Sequence, residues 1–442
     1  MNKNQFILKE GIFKENDIRG KYPEEINSQV AFILGKVFTS ILKKLYKEPL
    51  KLVIGYDNRK SSPILLKSLI KGCLLNKCKI INIKETTTPL FYFSLKKVKA
   101  TGGIMITASH NPYNENGFLF YLKDGISFLS KKKWDKKFKE LVFKEWDKEN
   151  KGLKEKINRG EITYKNFKKD YLSFLKKFIK IKKPLKFVLD DGGGSAGFIL
   201  SDFIKIKELK NLKFYLIKGP LYRFSNPLEK RGLKKLKREI LKRKAGGGAA
   251  FDSDADRIIF FDEKGNFIEP SKIFALLVLN FLRKDKNFRF VTTEFLNQKI
   301  KEKIQKEKGK LVYSPTGYGY FYLKMRKEKA VFGSEHTGHF YFKDFDYHDD
   351  GLITLILVLN LLSLKEKPFS QIIDEFETNP SFFMNFKSLS LKSFYVLKYL
   401  EEIARKYKVK TFENLKIITK DWLIIVRISG TSNLIRFYLE KL

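Results

Sequence analysis

The motif Thr-Ala-Ser-His-Asn-Pro, residues 107–112, places a serine and a histidine directly after an apolar stretch that predicts a strand, residues 103–107. Loops at the carboxyl ends of strands are where α/β sheets bind ligands. Ser109 is therefore a candidate nucleophile, with His110 beside it. The motif is not a Gly-x-Ser-x-Gly elbow, so an α/β-hydrolase triad is not indicated. The alternative interpretation is a turn or helix N-cap serine.

A second loop carries a carboxylate at every other position, Asp252, Asp254 and Asp256, followed by Arg257. Three carboxylates this close repel one another and favour a bound cation. Their hard oxygen ligands suit Mg²⁺, which leaves positions open for phosphate or water. An EF-hand is excluded because Arg257 stands where that loop needs glycine. An acidic surface turn is the alternative.

Two further loops combine hydroxyl, glycine and charged residues. Residues 333–339 contain Glu335 among small neighbours, an arrangement suited to binding vicinal sugar hydroxyls; zinc ligation by His336 and His339 is the alternative, although no third ligand motif accompanies them. Residues 427–433 combine an arginine with hydroxyls and turn amides, which predicts a phosphate-binding loop or a plain β-turn.

Strands and helices alternate along the chain, which predicts an α/β protein. We expect helical structure through the lysine-rich residues 130–180, a buried core helix over Leu352–Leu364, and a C-terminal helix over 396–407 followed by strands. A chain of 442 residues exceeds one hydrophobic core. The pattern predicts four domains, with the following bounds: 1–155, 156–266, 267–376 and 377–442.

The formal charge of +40 is concentrated in two stretches, 121–180 and 203–245, which carry basic excesses of ten and twelve. Neither stretch includes any of the four loops described above, and neither contains a nucleic-acid-binding motif. A solvated lysine surface is the favoured interpretation, and a basic nucleic-acid-binding protein is the alternative from another class. Hydrophobic residues make up 43%, enough for folded cores. Two cysteines and no apolar signal core predict a cytoplasmic protein.

The four loops, in this order and at these separations, resemble the α-D-phosphohexomutase superfamily over essentially the whole chain. Lesser matches agree, among them Asp17-Ile-Arg19-Gly20, residues 55–62, Thr88-Pro89 and Asp190. Residues 338–344, followed by Asp349-Asp350-Gly351, look most like the bacterial phosphomannomutase/phosphoglucomutase branch.

The resemblance implies three related mixed α/β domains and a smaller C-terminal α+β domain around a central cleft, each giving one loop. It also implies an activity: reversible transfer of phosphate between C1 and C6 of mannose or glucose phosphates. Ser109 would carry the phosphoryl group, and a hexose 1,6-bisphosphate would be the intermediate and activator. Small sugar phosphates are then the expected partners, with neither nucleic acid nor membrane, and a monomer or homodimer is expected.

The resemblance implies roles for residues of all four loops. The expected catalytic residues are Ser109, Arg19, His110 and Arg257. One Mg²⁺ per chain would be held by Ser109, Asp252, Asp254 and Asp256. The expected sugar-binding residues are Glu335, Thr337, His339 and Tyr318, and the expected phosphate-binding residues are Arg427, Ser429, Gly430 and Thr431.

The chain departs from the family pattern at several positions. Leu119 stands where the family usually has a lysine that helps to move the proton, and Lys123 on the same strand face is too far along to replace it. Smaller departures are Ser253, Ala255, Ser432-Asn433, and Tyr318 where some relatives have histidine. These departures affect the expected proton-transfer step and the expected rate of turnover. Two enzyme-related alternatives remain: a phosphoglucosamine mutase, and a phosphosugar-binding relative with weakened catalysis.

Overall fold

The computed structural model describes residues 7–123, 125–130, 132–150, 160–219, 228, 230–387, 402, 415–428 and 434–442. The chain divides into two compact units. We call Met1–Phe267 with His348–Phe369 the first unit, and Ile268–Tyr347 with Ser370–Leu442 the second unit. The described residues form mixed α/β sheets followed by an antiparallel C-terminal sheet, which confirms the predicted fold class.

The first sheet has strand order β1-β5-β4-β2-β3-β6. Its elements are β1 (Ile18–Lys21), α1 (Ser28–Leu45), β2 (Lys51–Tyr56), α2 (Ser62–Leu74), β3 (Lys79–Glu85), α3 (Thr88–Lys97), β4 (Gly102–Ile106), β5 (Glu115–Leu122), α4 (Lys132–Asn150) and β6 (Glu161–Tyr164). Because β2, β3 and β4 run parallel, the loops that follow them emerge at one edge. The serine motif follows β4 at this edge.

The second sheet also belongs to the first unit and has the order β11-β10-β9-β7-β8. Its elements are α5 (Lys168–Leu175), β7 (Leu185–Asp190), α6 (Ala196–Phe203), β8 (Leu212–Ile217), α7 (Lys234–Arg243), β9 (Gly248–Phe251), β10 (Ile258–Phe261) and β11 (Phe267–Ile268). The antiparallel pair β9 and β10 encloses the three-carboxylate loop between its buried strands. The acidic residues therefore lie at a rigid hairpin end.

In the second unit, one sheet contains the strand order β13-β12-β14-β15, and the C-terminal sheet has the order β17-β20-β19-β18. The remaining elements, in chain order, are α8 (Pro270–Leu282), β12 (Arg289–Thr292), α9 (Gln298–Lys306), β13 (Lys310–Tyr313), α10 (Tyr318–Glu328), β14 (Phe332–Ser334), β15 (Phe340–Phe342), β16 (His348–Asp349), α11 (Gly351–Leu364), α12 (Phe369–Asp374), β17 (Ser381–Lys387), β18 (Leu415–Ile418), β19 (Trp422–Ile428) and β20 (Leu434–Lys441). Of these, β16 and α11 belong to the first unit.

Helices α1 and α2 pack unusually closely in the core of the first unit. A side chain at Gly35 would collide with the carbonyl oxygen of Leu69, and one at Gly72 with that of Phe32. Glycine is required at both positions because the two backbones nearly touch. Cys73, also on α2, is fully buried there as a free thiol, and Cys78, which follows α2, is buried and free as well.

Several element predictions were accurate, and one was wrong. The predicted core helix is α11, whose side chains are nearly all buried. The stretch 130–180 is not helical throughout: between α4 and α5 it contains β6, which pairs in parallel with β3. The predicted helix over 396–407 lies outside the described ranges except for residue 402. No helix among the described residues is long and apolar enough to cross a membrane.

Candidate active site

The Ser109 hydroxyl lies at the end of β4 and reaches towards the acidic loop. Its Oγ donates to Asp252 Oδ2 at 3.3 Å and lies 3.4 Å from His110 Nδ1. The Ser109 amide donates to Thr107 Oγ1 at 2.8 Å. Ser109 has φ +47°, a left-handed conformation that is uncommon for a residue other than glycine. The structure therefore brings the predicted nucleophile next to one of the predicted metal ligands.

Arg19 lies on β1 and is bound to the same loop. Its Nη1 donates to the carbonyl oxygen of Ala108 at 2.8 Å and to Asn111 Oδ1 at 3.1 Å, while Nη2 pairs with Asp17 at 2.8 Å. Burial opposes the charged form of this guanidinium, yet neighbouring carboxylates, Asp17 first, leave the pKa of Arg19 raised. A permanent positive charge is thus fixed beside the serine.

The acidic loop turns sharply between β9 and β10. Ala255 has φ +64°, and its amide donates to the carbonyl oxygen of Asp252 at 3.3 Å. Carboxylate oxygens of Asp252, Asp254 and Asp256 all lie within 4.8 Å of one another, and all three side chains are buried. The alternative of an acidic surface turn is therefore wrong.

Burial and mutual repulsion perturb these carboxylates strongly. Burial first, and then the charge of Asp254, raise the pKa of Asp252 to about 8, while Arg257 opposes the shift. Burial and the carboxylates of Asp254 and Asp252 raise the pKa of Asp256 well above its ordinary value. Arg257 Nε lies 3.8 Å from Asp252 Oδ2. Three buried carboxylates, only partly balanced by Arg257 and Arg19, make a site that favours an added cation.

The donor set of this cluster fits a divalent cation. Asp254 Oδ2 accepts hydrogen bonds from Thr88 Oγ1 at 2.7 Å and from Thr107 Oγ1 at 3.4 Å. Its other oxygen, Oδ1, is buried and has no hydrogen-bond partner. A buried carboxylate oxygen without a partner is costly, and coordination would satisfy it. Oxygen-only ligands are those that Mg²⁺ prefers.

A second group of buried polar residues in the first unit comes from residues 348–350. His348 stacks on Tyr92 with ring centroids 4.3 Å apart, and the Tyr92 hydroxyl lies 3.0 Å from that of Tyr121. Asp350 caps α11 by accepting from two backbone amides and from the hydroxyl of Tyr171. Burial raises the pKa of Asp350 to about 7. These residues brace the packing of the first unit.

In the second unit, Glu335 is buried and accepts three hydrogen bonds. Its Oε1 accepts from the Tyr341 hydroxyl at 2.8 Å and from the Gly317 amide at 3.3 Å, and its Oε2 accepts from Thr337 Oγ1 at 3.2 Å. The Glu335 amide donates to the His339 carbonyl at 3.0 Å. The loop between β14 and β15 thus places the predicted sugar-binding residues Glu335, Thr337 and His339 together.

Other predicted residues of the second unit lie close to this loop or in partly described segments. Tyr318 begins α10, and its ring centroid lies 6.4 Å from that of Tyr341. Arg427 Nη2, on β19, donates to the Thr316 carbonyl at 3.1 Å, next to Gly317. The structure therefore links β19 to the segment that contacts Glu335. The predicted phosphate-binding residues Ser429, Gly430 and Thr431 lie outside the described residues.

Two residues that the sequence analysis singled out have packing contacts. The ring of His336 stacks against Phe383, with centroids 5.1 Å apart, and lies 4.8 Å from that of Phe295. Lys123 is exposed and pairs with Glu48 at 2.6 Å. Lys123 is therefore paired with Glu48 at the surface and does not replace the lysine that the family usually has at the position of Leu119.

Sequence reasoning missed three residues that organise these loops: Arg59, which binds the serine loop; Thr88, which holds Asp254; and Tyr341, which holds Glu335. Arg59 and Thr88 fell within the lesser family matches without an assigned role. Tyr341 lies one residue after Phe340 on β15, and alternation along the strand could have placed it on the Glu335 side.

Comparison with known proteins agrees with this fold. Residues 10–147 match the profile described as phosphoglucomutase/phosphomannomutase, alpha/beta/alpha domain I, and residues 269–379 match domain III. The phosphomannomutase of Vibrio cholerae is 30% identical over 97% of this chain and 94% of its own length. The phosphoglucomutase/phosphomannomutase of Thermococcus kodakarensis is also 30% identical, with the same coverage of 97% and 94%.

A crystal structure of a phosphoglucomutase/phosphomannomutase family protein from Burkholderia thailandensis has the same fold. It aligns with a TM-score of 0.85 and 21% identity over 98% of this chain and 94% of the other. The chain therefore belongs to the phosphoglucomutase/phosphomannomutase family of the α-D-phosphohexomutase superfamily. Proteins of this class are isomerases that move a phosphoryl group on a hexose phosphate, and this chain is a phosphohexomutase.

Proposed function

We propose that this protein interconverts the 1- and 6-phosphates of mannose or glucose through a phosphorylated Ser109 and a hexose 1,6-bisphosphate intermediate. The observation that carries the proposal is the position of Ser109 Oγ, 3.3 Å from Asp252 Oδ2 in the buried three-carboxylate cluster. A serine hydroxyl beside a divalent-cation site is the arrangement that phosphoryl transfer needs, since that reaction depends on positioning and charge neutralisation.

The chain's own residues have defined tasks in this proposal. When the phosphoryl group leaves Ser109, the bond between phosphorus and Oγ breaks, a new bond forms to a free sugar hydroxyl, and the hydroxyl proton moves from the sugar to Oγ. Arg19 holds permanent positive charge beside the serine, and Arg257 does so beside the carboxylates. His110 would carry the proton, a role that its Nδ1 at 3.4 Å from Oγ supports.

Asp252, Asp254 and Asp256 would hold one Mg²⁺ together with an oxygen of Ser109 or its phosphate. The ion would supply neutralisation of the charge that develops on the transferring phosphoryl oxygens. The protein prepares this site before any substrate arrives, because Thr88 and Thr107 already fix Asp254.

Recognition of the sugar phosphate would belong to residues of the second unit. Glu335 and Thr337 would bind sugar hydroxyls, with His339 and Tyr318 beside them. Arg427, Ser429, Gly430 and Thr431 would hold the phosphate that does not react. Binding energy from that remote phosphate orients the sugar for transfer.

We also propose the division of the chain into four domains near residues 155, 266 and 376, and a reducing, cytoplasmic site of action. Free buried thiols at Cys73 and Cys78 support the second proposal.

Phosphorylation of Ser109 is the direct test. Wild-type protein incubated with glucose 1,6-bisphosphate should gain the mass of one phosphate on the peptide that contains Ser109, and Ser109→Ala should gain none and lose mutase turnover. Ser201→Ala is the matched control, since Ser201 bonds only within α6 in this structure's described contacts. Full activity of Ser109→Ala would exclude the mechanism.

Substrate choice is tested by side-by-side kinetics on mannose 1-phosphate, glucose 1-phosphate and glucosamine 1-phosphate. We expect kcat/KM to be highest on mannose or glucose phosphate. A preference for the amino sugar would identify a phosphoglucosamine mutase instead, and binding without turnover would identify the weakened relative.

A further inference from the structure

The strained backbone of Ser109 is held from two sides through its carbonyl oxygen. Arg59 Nη2 donates to this oxygen at 2.7 Å, and the hydroxyl of Ser253 donates to it as well. A non-glycine residue with φ +47° persists only where the surrounding structure fixes it. The conformation that aims Oγ at Asp252 therefore depends on its carbonyl partners.

Arg59 contacts much more of the serine loop than this one carbonyl. Its Nη2 also donates to the carbonyl of Asn111 at 2.9 Å, and its Nη1 donates to those of Pro112 at 2.7 Å and Glu115 at 3.0 Å. One planar guanidinium thus binds four backbone carbonyls between residues 109 and 115. Only a rigid fork of N–H donors can do so.

The guanidinium is itself fixed by Asp57. Arg59 Nε pairs with Asp57 Oδ2 at 3.0 Å, and both side chains are completely buried. Asp57 Oδ1 accepts from the Arg59 amide at 3.1 Å and from Ser62 Oγ at 2.6 Å. The buried charges are therefore paired and hydrogen-bonded, as stability in the interior requires.

The residue between them connects the serine loop to the second sheet. The Asn58 amide donates to Ser195 Oγ and its side-chain amide to the Gly193 carbonyl, both at 2.9 Å. The Ser195 amide in turn donates to the Ser253 carbonyl at 2.7 Å, within the acidic loop. Residues 57–59 therefore contact the serine loop, which carries Ser109, and reach the acidic loop, which carries Asp252, through Ser195. These contacts help to fix the distance between Ser109 and Asp252.

We propose that Arg59 is a positioning residue for phosphoryl transfer: its guanidinium, held by Asp57, fixes the serine loop so that Ser109 Oγ stays aligned with Asp252. The proposal rests on Ser109 as the phosphoryl carrier. It assigns Arg59 no contact with the substrate, so its loss acts on the transfer step and leaves sugar recognition by the second unit intact.

The experiment measures single-turnover phosphorylation of Ser109 by glucose 1,6-bisphosphate, together with steady-state kcat and KM. In that step the bond from phosphorus to a sugar oxygen breaks, the bond to Ser109 Oγ forms, and the serine proton passes to the released sugar oxygen, which becomes a hydroxyl. Arg59→Lys keeps the positive charge but replaces the planar guanidinium, with its several N–H donors, by a compact ammonium group. Displacement of reacting atoms by about 1 Å costs about 10²-fold in rate, so we expect kcat and the phosphorylation rate to fall by about that factor. KM should stay unchanged.

Two additions separate positioning from a merely structural role. Guanidinium ion added to Arg59→Ala should restore part of the phosphorylation rate, which added sodium at the same ionic strength should not do. Arg289→Lys is the matched control, because Arg289 pairs with Glu328 at the surface. Thermal melting reports the folded fraction of each variant, and rates are expressed per folded molecule.

Equal phosphorylation rates for wild type and Arg59→Lys would overturn the proposal, as would a loss expressed only in KM or fully accounted for by unfolding. If wild-type protein itself takes up no phosphate, the proposed function fails, and this inference falls with it. Phosphorylated wild type beside an unimpaired Arg59→Lys would refute this inference alone.

Discussion

The buried carboxylates of the two units have different electrostatic surroundings. In the first unit, three buried carboxylates face one another, and burial with the charge of Asp254 raises the pKa of Asp252 to about 8. In the second unit, the buried carboxylate of Glu335 is surrounded by hydroxyl and amide donors. In the first unit the carboxylates repel one another, and a bound cation would reduce that repulsion. In the second unit neutral hydrogen-bond donors already satisfy the carboxylate.

Under the proposed function, the first unit would stabilise the transition state and the second would recognise the sugar in the ground state. Charged groups that need an added ion suit a step in which charge develops. Neutral donors around a carboxylate suit reading the hydroxyls of a sugar, since such bonds are directional. Variants in the first unit should therefore change kcat, and variants in the second should change KM.

The largest effect is expected from Asp254→Asn. The change removes a carboxylate that Thr88 and Thr107 hold in place, and with it part of the proposed cation site. Loss of metal stabilisation worth several kcal/mol should lower kcat by roughly 10³-fold. Steady-state assay over a magnesium titration is the measurement.

Asp262→Asn is its control, because Asp262 is a buried turn carboxylate directly after β10, at the opposite end of that strand from the acidic loop, and accepts from the amides of Lys264 and Asn266. Equal losses in both variants would indicate damage to the hairpin rather than to the cation site.

A smaller effect, on KM, is expected from Glu335→Gln. The change keeps the shape but removes the charge, and hydrogen bonds to charged groups contribute about 1.5–3 kcal/mol, so KM should rise roughly 10- to 100-fold with kcat affected less. Tyr341→Phe, which removes one donor to Glu335, should have a weaker effect of the same kind. A fall in kcat alone would contradict the proposed division between the units.

The stability of the first unit should depend on pH through Asp252. Its pKa is raised from 3.8 to about 8, so the stability that the protonated carboxyl contributes is present below 3.8 and is lost as the pH rises towards 8. The melting temperature of Asp252→Asn should therefore exceed that of metal-free wild type by a margin that grows over this range. Added Mg²⁺ should stabilise wild type more at high pH, because ligands bind deprotonated.

Differential scanning fluorimetry at pH of about 5 and about 9, with and without Mg²⁺, measures this effect. A magnesium-induced shift that was the same at both pH values would show that the carboxylates are already ionised.

The smallest effect is expected from Leu119→Lys. Leu119 is half-buried on β5, opposite Met105 of β4, the strand that leads into the serine loop. A lysine there adds a group for proton transfer, and with positioning left unoptimised we expect kcat to rise by roughly two- to fivefold, well below the effect of an evolved acid–base residue. Leu119→Met is the control, and an unchanged kcat in Leu119→Lys would show that proton transfer is not limiting.

Local patterns predicted much of the fold. Continuous apolar runs predicted β2, β4 and α11 correctly, because each of these elements is buried almost throughout. The strand β6, Glu161-Ile-Thr-Tyr, was missed because its alternation covers only four largely exposed residues within a lysine-rich stretch; its pairing with β3 gives it structure. Tertiary contacts of this kind leave no local signal.

The candidate site was predictable where one loop holds the residues and not where distant loops meet. The spacing of Asp252, Asp254 and Asp256 predicted that their carboxylates would cluster, because the three share one turn. The bond from Thr88 to Asp254 spans 166 residues, and those of Arg59 to the serine loop span 50 to 56. The Thr88 bond needs the packing of two sheets, and the Arg59 bonds need the pairing of β2 with β4. No local pattern in the sequence contains either.

The two thiols offer a reporter for one half of the molecule. Both cysteines of the chain belong to the first unit, where burial raises the pKa of Cys73 well above its ordinary value and that of Cys78 to about 12. Alkylating reagents attack the thiolate, so labelling in the folded protein must wait for α2 to open. The rate of labelling therefore measures opening of the first unit around α2, while the second unit, which has no cysteine, contributes nothing to the signal.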